Sequence, residues 1–450
     1  MEKEYLIREK PLKAMTVFAV PMIIGNLFQQ FYTMADSAVV GRFVGEGALA
    51  AVGASYALTT VFISIAIGGG VGASVITGSY FGAREYRKMK ASIRTALISF
   101  FILSVFLGSV GLLFSRQILE ALNTPESVME QAVEYLNIYF LGLPFLFMYN
   151  ILSSMFNALG RSRIPLGLLI FSSVFNVILD LYMVCSLHMG VAGAAWATLI
   201  AQGISAAFSF VIFLRGLKQY ETGEERVPLF DRKEFSNMAR VALPSILQQS
   251  TVSIGLMLVQ SVVNGFGEEM LAGYSAAMRI ENIATVPMSA MGNVMSAYVA
   301  QNIGAKQYDR VRTGYRTGIG MVAGFAAVIC VILELFYRPL IFLFLGEEGT
   351  AAAMKTGMDC LRYMGWFYVL IGMKMTTDGV LRGAGDMTVF TVANLVNLSI
   401  RVIVAAVFAP VWGIVMVWAV VPAGWLVNFL ISYTRYRTGK WREKAQKLGG

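Results

Sequence analysis

Residues 78–95 read GSYFGAREYRKMKASIRT, and residues 300–317 read AQNIGAKQYDRVRTGYRT. The two stretches align without a gap at an offset of 222. Gly82, Ala83, Tyr86, Arg94 and Thr95 recur as Gly304, Ala305, Tyr308, Arg316 and Thr317. The register holds upstream, where Leu49-Ala50, Gly70 and Ser74 meet Leu271-Ala272, Gly292 and Ser296, and Pro21 pairs with Pro244 at an offset of 223. A chain that repeats itself at half its length is a duplication, and its composition says what was duplicated.

Hydrophobic residues make up 57 % of the 450 and charged residues 14 %, with a mean hydropathy of +0.65. Soluble domains carry roughly 25 % charged residues. Apolar stretches of membrane-crossing length, about 20 residues each, fall at 14–40, 48–80, 91–114, 130–156, 164–187, 191–214, 240–265, 271–303, 315–345, 355–381, 387–410 and 413–434. The fold expected is an all-α polytopic membrane protein with twelve transmembrane helices in two six-helix lobes. The repeat spans six helices, which returns the chain to the same side of the membrane, so the lobes should be related by a pseudo-twofold axis along the membrane normal. We divide the chain into an N-terminal lobe (1–214), a polar cytoplasmic linker (215–239), and a C-terminal lobe with a basic cytoplasmic tail (240–450).

The basic residues give an orientation. With the N-terminus inside, the cytoplasmic segments hold 28 Lys and Arg and the outer loops hold four: Arg42, Arg116, Arg338 and Lys355. The positive-inside rule then places both termini in the cytoplasm, in a multi-pass protein of the plasma (inner) membrane. The net charge of +9 describes loops beside anionic lipid, so the partners expected are the bilayer and a small-molecule substrate, with no nucleic acid. A monomer is expected.

Several chemistries have no support. The charged N-terminus MEKEYLIREKPLK runs into a full span and does not read as a cleavable signal. Cys185, Cys330 and Cys360 are scattered, which argues against a disulfide framework or a metal cluster. His188, the one histidine, falls at the outer end of the fifth span and reads as interfacial. A phosphate-binding G-x-x-x-x-G-K-[ST] loop is missing, and GGGVGA at 68–73 lies inside a span, where close helix packing explains it better than a dinucleotide site. An enzyme is not expected, and neither is a cofactor.

Polar residues inside the spans carry the functional reading. Asp36, in FQQFYTMADSAVV, lies within roughly 10 Å of the outer end of the first span at 1.5 Å per residue. Asp180 of FNVILD and Thr198 of AAWATLIAQ lie about as deep in the fifth and sixth spans. Asn176 is one turn from Asp180 on the same face. A carboxylate in hydrocarbon costs about 2.5–3.5 kcal/mol on insertion scales. Two facing acids are expected to share a proton there unless a cation enters, and oxygen ligands of this kind suit a hard cation as well as a proton. Asp36, Asn176, Asp180 and Thr198 are therefore the candidate coupling-ion site, and the candidate Na⁺ ligands if the ion is sodium. The competing reading is a structural pair tying helices together.

The second half departs from the first. VNLSIR aligns on FNVILD, so Asn176 matches Asn397 while Asp180 falls on Arg401. The acid pair is confined to the N-terminal lobe, and a different set of charges, Arg279, Glu281, Lys374, Asp378 and Arg401, is the candidate network of the C-terminal lobe. Lys374 and Asp378, four apart, can pair on one face. Arg401 can meet Glu281 or Asp378, and the sequence does not choose. Aromatic and methionine side chains can hold a bulky organic cation. Gln29, Tyr32, Tyr139, Met148, Asn150 and Asp378 are the candidate substrate contacts. Pro21, fifteen residues before Asp36, should bend the first span.

Taken as an ordered set, the P-x14-D of the first span (Pro21, Asp36), the N-x3-D of the fifth (Asn176, Asp180), Thr198 in the sixth and the two GA-[RK]-x-Y turns resemble the multidrug and toxic compound extrusion family. The similarity covers roughly residues 10–435. It implies secondary active export of amphipathic, often cationic compounds by alternating access, driven by Na⁺ or H⁺, with the positions matching Asp36, Asn176, Asp180 and Thr198 as the ion site. A branch of the family has a Glu in the seventh span, where this chain reads LPSILQQSTVSIG, while Asp378 is similar to that branch's tenth-span Asp. A flippase or exporter of a lipid-linked or anionic substrate with the same two lobes is the alternative, and a channel is a third class that the buried acids argue against.

Overall fold

The computed structural model describes residues 4–43, 46–122, 124–220, 227–347 and 349–448, without the side chains at 35–42, 46–50, 54, 57 and 447–448. Among these residues the chain is helical throughout, without a strand. A short α1 (Tyr5–Arg8) leads into α2 (Pro11–Phe43), α3 (Glu46–Gly82), α4 (Tyr86–Ala121), α5 (Glu126–Ala158), α6 (Arg163–Asp180) and α7 (Gly190–Leu217). The second half comprises α8 (Arg232–Asn264), α9 (Glu268–Ala284), α10 (Val286–Gly304), α11 (Tyr308–Leu345), α12 (Ala351–Gly383), α13 (Met387–Trp412), α14 (Val415–Ala419), α15 (Val421–Arg437) and α16 (Trp441–Leu448).

Among the described residues, ten helical segments are long and apolar enough to cross a membrane. The other two expected spans are present in interrupted or charged form. The α9–α10 pair breaks at Thr285, one turn where Pro287 cannot donate a backbone N–H. α12 is 33 residues long but carries Lys374 and Asp378 in its interior. Several helices outrun the bilayer: the 36 residues of α4 reach about 54 Å at 1.5 Å each, against a hydrocarbon core of about 30 Å.

The chain forms two compact units, residues 24–246 and residues 1–23 with 247–450. Each boundary falls two residues beyond a proline, Pro21 inside α2 and Pro244 inside α8. Proline removes one helix hydrogen bond, and at these two weakened points the helix passes from one unit to the other. The lobes drawn from sequence divide instead in the polar linker, because hydropathy marks where a helix crosses a membrane but not which neighbours it packs on.

The repeated turn has the same backbone in both units. Ala83, Arg84 and Glu85 donate to the carbonyls of Ser79, Phe81 and Tyr80, and Ala305, Lys306 and Gln307 donate to those of Gln301, Ile303 and Asn302. Arg84 and Lys306 both sit at φ 59°. A side chain in that left-handed conformation costs about 1–2 kcal/mol, so the turn is held by its hydrogen bonds and by the helices that enter and leave it.

Glycines set the closest helix approaches. In the 24–246 unit a Cβ on Gly68 would stand 2.7 Å from the Ile246 Cα, and one on Gly72 would collide with the Ala242 backbone, so GGGVGA is the seam where α3 meets the first turns of α8. In the other unit Gly379 and Gly383 of α12 play the same part against Gly292 and Ser296 of α10. Each unit is also tied at the end that bears the repeated turn. Arg310 donates to Asn302 Oδ1 at 3.0 Å and to the Glu9 carbonyl at 2.6 Å, while Asn302 donates to the Leu6 carbonyl at 3.1 Å. Arg94 donates to the Val227 carbonyl at 2.6 Å, Thr95 accepts from the Asp231 amide at 3.0 Å, and Tyr80 donates to Glu234 at 3.0 Å.

Candidate functional site

In the 24–246 unit, α6 presents Asn176 and Asp180 one turn apart, and both are buried. Burying an amide and a carboxyl in a helix bundle is unfavourable without partners, and neighbouring helices supply them. Tyr32 of α2 lies 2.7 Å from the Asn176 amide, and Thr198 of α7 offers its hydroxyl at 3.3 Å. Turned so that its nitrogen faces the carboxyl, the Asn176 amide donates to Asp180 Oδ2 at 3.0 Å and to Tyr32 Oη at 2.7 Å, and its oxygen accepts from the Thr198 amide at 3.1 Å. In one orientation Asn176 accepts from Tyr32; in the other it donates to Tyr32 and to Asp180. Which one holds depends on whether Asp180 can only accept, as an ionised carboxylate does.

Three of the four expected ion-site residues, Asn176, Asp180 and Thr198, are thus gathered in one place. The fourth, Asp36, is on α2 one helical turn beyond Tyr32, and its side chain lies outside the described residues. Tyr32, expected as a substrate contact, is also a direct partner of Asn176. Directly after Asp180 the helix widens into a single π-helical turn, Leu181–Ser186. Such insertions collect at functional positions, and the sequence carries no signal for this one. His188 follows in an exposed turn at φ 53°.

Two spaces border this cluster. A cavity of about 20 Å³, enough for one water-sized species, is lined by Tyr135, Tyr139, Thr198 and Gln202. A groove of about 320 Å³ runs between Phe28, Phe31 and Tyr32 on α2 and Ser173, Val174 and Val177 on α6. Tyr139 reaches across to donate to the Thr59 carbonyl at 3.2 Å. The remaining candidate contacts lie elsewhere. Gln29 is exposed, Asn150 donates to its own helix at Leu146, and Met148 faces a different groove with Leu97 and Phe145.

The charged residues of the other unit sort into three situations. Lys374 and Asp378, both buried, form an ion pair at 3.1 Å on one face of α12. Lys374 also donates to Asn394 Oδ1 at 2.8 Å, Asn394 donates to Asp378 Oδ2 at 3.1 Å, and Ser432 donates to Asp378 Oδ1 at 2.7 Å. The carboxylate is surrounded by donors from α12, α13 and α15. Glu281 Oε2 and Arg401 Nε are buried without a hydrogen-bond partner, and among the described residues the two form no ion pair. Arg279 is exposed. Asn394 and Ser432 were not expected from sequence: neutral polar residues inside spans are common enough that only the helix faces, once known, single them out. Among the described residues, no group of three or more His, Cys, Asp or Glu could hold a metal ion.

Comparison with known proteins agrees with the duplication. A family profile described as MatE matches residues 21–182 and again 244–407. The chain is 30 % identical over 438 residues to the "Probable multidrug resistance protein YpnP" of Bacillus subtilis (strain 168), covering 97 % of each chain. It is 28 % identical to the "Probable multidrug resistance protein YoeA" of the same organism, covering 98 % of each. Among solved structures it resembles a MOP superfamily transporter from Pyrococcus furiosus, described as having a binding pocket of reverse polarity that suggests a different function. The TM-score is 0.89 at 24 % identity, over 100 % of this chain and 99 % of that one, which speaks to the fold.

Proposed function

The chain belongs to the MatE family, whose members are membrane transporters and not enzymes, and we propose that it is an antiporter exporting amphipathic, cationic drugs or metabolites in exchange for Na⁺ or H⁺. One observation carries this reading: the Asn176 amide joins Tyr32, Thr198 and Asp180 from three helices of one unit. The reading adds Asp36, one turn from Tyr32 along α2, whose side chain lies outside the described residues. Carboxylate, amide and hydroxyl oxygens are donors a hard cation or a proton accepts, and the small cavity lined by Thr198 gives the ion room. An inward-moving ion gains about 2.3 kcal/mol per charge for each 100 mV of membrane potential, which is the work available for export. The reading places the ion site in the 24–246 unit and treats the Lys374–Asp378 pair as a stabilising element, because Asp378 already has a resident cation and two neutral donors. It also keeps both termini cytoplasmic in the plasma membrane, by the bias of basic residues.

The test is efflux of a cationic dye from proteoliposomes with Na⁺ and pH gradients imposed one at a time. Wild type should respond to one of the two gradients, and Asp36→Asn and Asp180→Asn should lose that response while remaining monodisperse in detergent. Full gradient-driven export by either variant would overturn the assignment. A second reading, export of an anionic or lipid-linked substrate, is favoured by the reverse-polarity pocket described for the Pyrococcus furiosus transporter. Uptake of an anionic dye in place of the cationic one, in the same vesicles, would decide for it.

A further inference from the structure

On the flank of the 24–246 unit, α4, α5 and α7 leave a groove of about 590 Å³ lined by Leu97, Phe101, Phe145, Met148, Phe210 and Leu214. Its walls are apolar except at one end, where Arg94 stands. Along α7 the groove runs from Gly203 to Leu214, about 16 Å at 1.5 Å per residue. That is half of a hydrocarbon core about 30 Å thick, so the groove is one leaflet deep. Small residues line it on α7: a Cβ built on Gly203 would stand 3.6 Å from the Phe145 ring, and Ala207 is exposed.

The mouth is basic. Lys90 lies one turn from Arg94 on α4, and Arg161, at the α5–α6 turn, abuts Gly216 at the end of α7 just past Leu214. The partners these three cations find are neutral oxygens. Arg94 donates to the Val227 carbonyl, Lys90 to the Tyr220 carbonyl at 2.6 Å, and Arg161 to the Tyr220 hydroxyl at 3.4 Å. Among the described residues none of the three forms an ion pair with a carboxylate. A second groove, of about 540 Å³, lies on another side of α4 between Phe106 and Met238 and has no charged residue in its lining. The same chain therefore offers two apolar grooves of similar size, one whose rim carries three cations without a carboxylate partner among the described residues and one lined by no charged residue.

We propose that the α4–α5–α7 groove is a binding site for one anionic phospholipid, its acyl chain lying along Leu97, Phe145 and Phe210 and its phosphate between Arg94, Lys90 and Arg161. Depth selects an acyl chain, and the rim selects an anionic head. The site is independent of the ion-coupling residues, none of which lines it.

The purified protein is mixed with palmitoyl-oleoyl phosphatidylglycerol or phosphatidylcholine, and retained lipid is counted by native mass spectrometry. Wild type should retain phosphatidylglycerol at least tenfold better than phosphatidylcholine. Neutralising one cation should weaken that preference about fivefold, and the triple change Lys90→Gln, Arg94→Gln, Arg161→Gln should abolish it. Ala207→Trp, which fills the groove from the lipid side, should lower retention of both lipids while leaving the protein monodisperse. Equal retention of the two lipids by wild type, or undiminished phosphatidylglycerol on Ala207→Trp, would overturn the proposal. So would displacement of phosphatidylglycerol by millimolar inorganic phosphate, since it would mark a phosphate site that needs no acyl chain.

Discussion

Removing one member of the Lys374–Asp378 pair should destabilise the protein far more than removing both. Each side chain is buried, and stripping one partner from a buried pair typically costs about 3–5 kcal/mol because it strands the other charge. The structure ranks the two single variants. In Lys374→Met the Asp378 carboxylate keeps donors from Asn394 and Ser432. In Asp378→Leu the Lys374 ammonium keeps only the Asn394 oxygen among its observed acceptors, so this variant should be the worse of the two. At roughly 2–4 °C per kcal/mol for a unit of 150–250 residues, the singles should melt about 6–20 °C below wild type. The double variant Lys374→Met, Asp378→Leu should recover most of that loss, since replacing a buried pair by apolar residues is often neutral. Melting is read from intrinsic fluorescence in one detergent, and dye efflux is measured alongside. A double variant as unstable as the worse single would refute the energetic reasoning, and a stable double variant without transport would refute the assignment of the pair to stability.

Three further outcomes follow from the packing and the cluster. Tyr32→Phe removes one hydrogen bond from Asn176, worth about 1 kcal/mol, and should weaken the apparent affinity for the coupling ion about fivefold with folding intact, as read from efflux against ion concentration. Gly72→Val drives a side chain into the Ala242 backbone and should yield aggregated protein on size exclusion, whereas Gly324→Ala, with nothing within 4 Å, should behave as wild type. Lys306→Gly relieves a left-handed side chain and should leave stability unchanged or up to about 1 kcal/mol higher, measured by the same thermal assay.

The sequence contained more of the fold than of the site. Twelve apolar stretches and one long repeat were enough for the helices and for the duplicated turn, since both rest on residue type at fixed spacing. The left-handed backbone at Arg84 and Lys306 was invisible, because neither is the glycine that usually marks it. For the site, the carboxylates announced themselves by their rarity in apolar helices, and Asn176 by its spacing from Asp180. The use of Tyr32 as a partner, the π turn after Asp180, and the enclosure of Asp378 by Asn394 and Ser432 depend on which helix faces meet, and no local pattern encodes that. Residue type does not choose between Glu281 and Asp378 for Arg401 for the same reason, and among the described residues Arg401 forms an ion pair with neither.

The tie between Arg310 and the carbonyls of Leu6 and Glu9 links groups some 300 residues apart in the chain. At about 5–20 residues per second of synthesis, Arg310 is made roughly 15–60 s after Leu6. Residues 4–23 therefore wait for partners that do not yet exist, while residues 24–246 hold all the partners of their own unit. A nascent protein stalled before Arg310 is made lacks the guanidinium that binds the Leu6 and Glu9 carbonyls, so residues 4–10 should be cut by added protease at a stage when the membrane spans already made are protected.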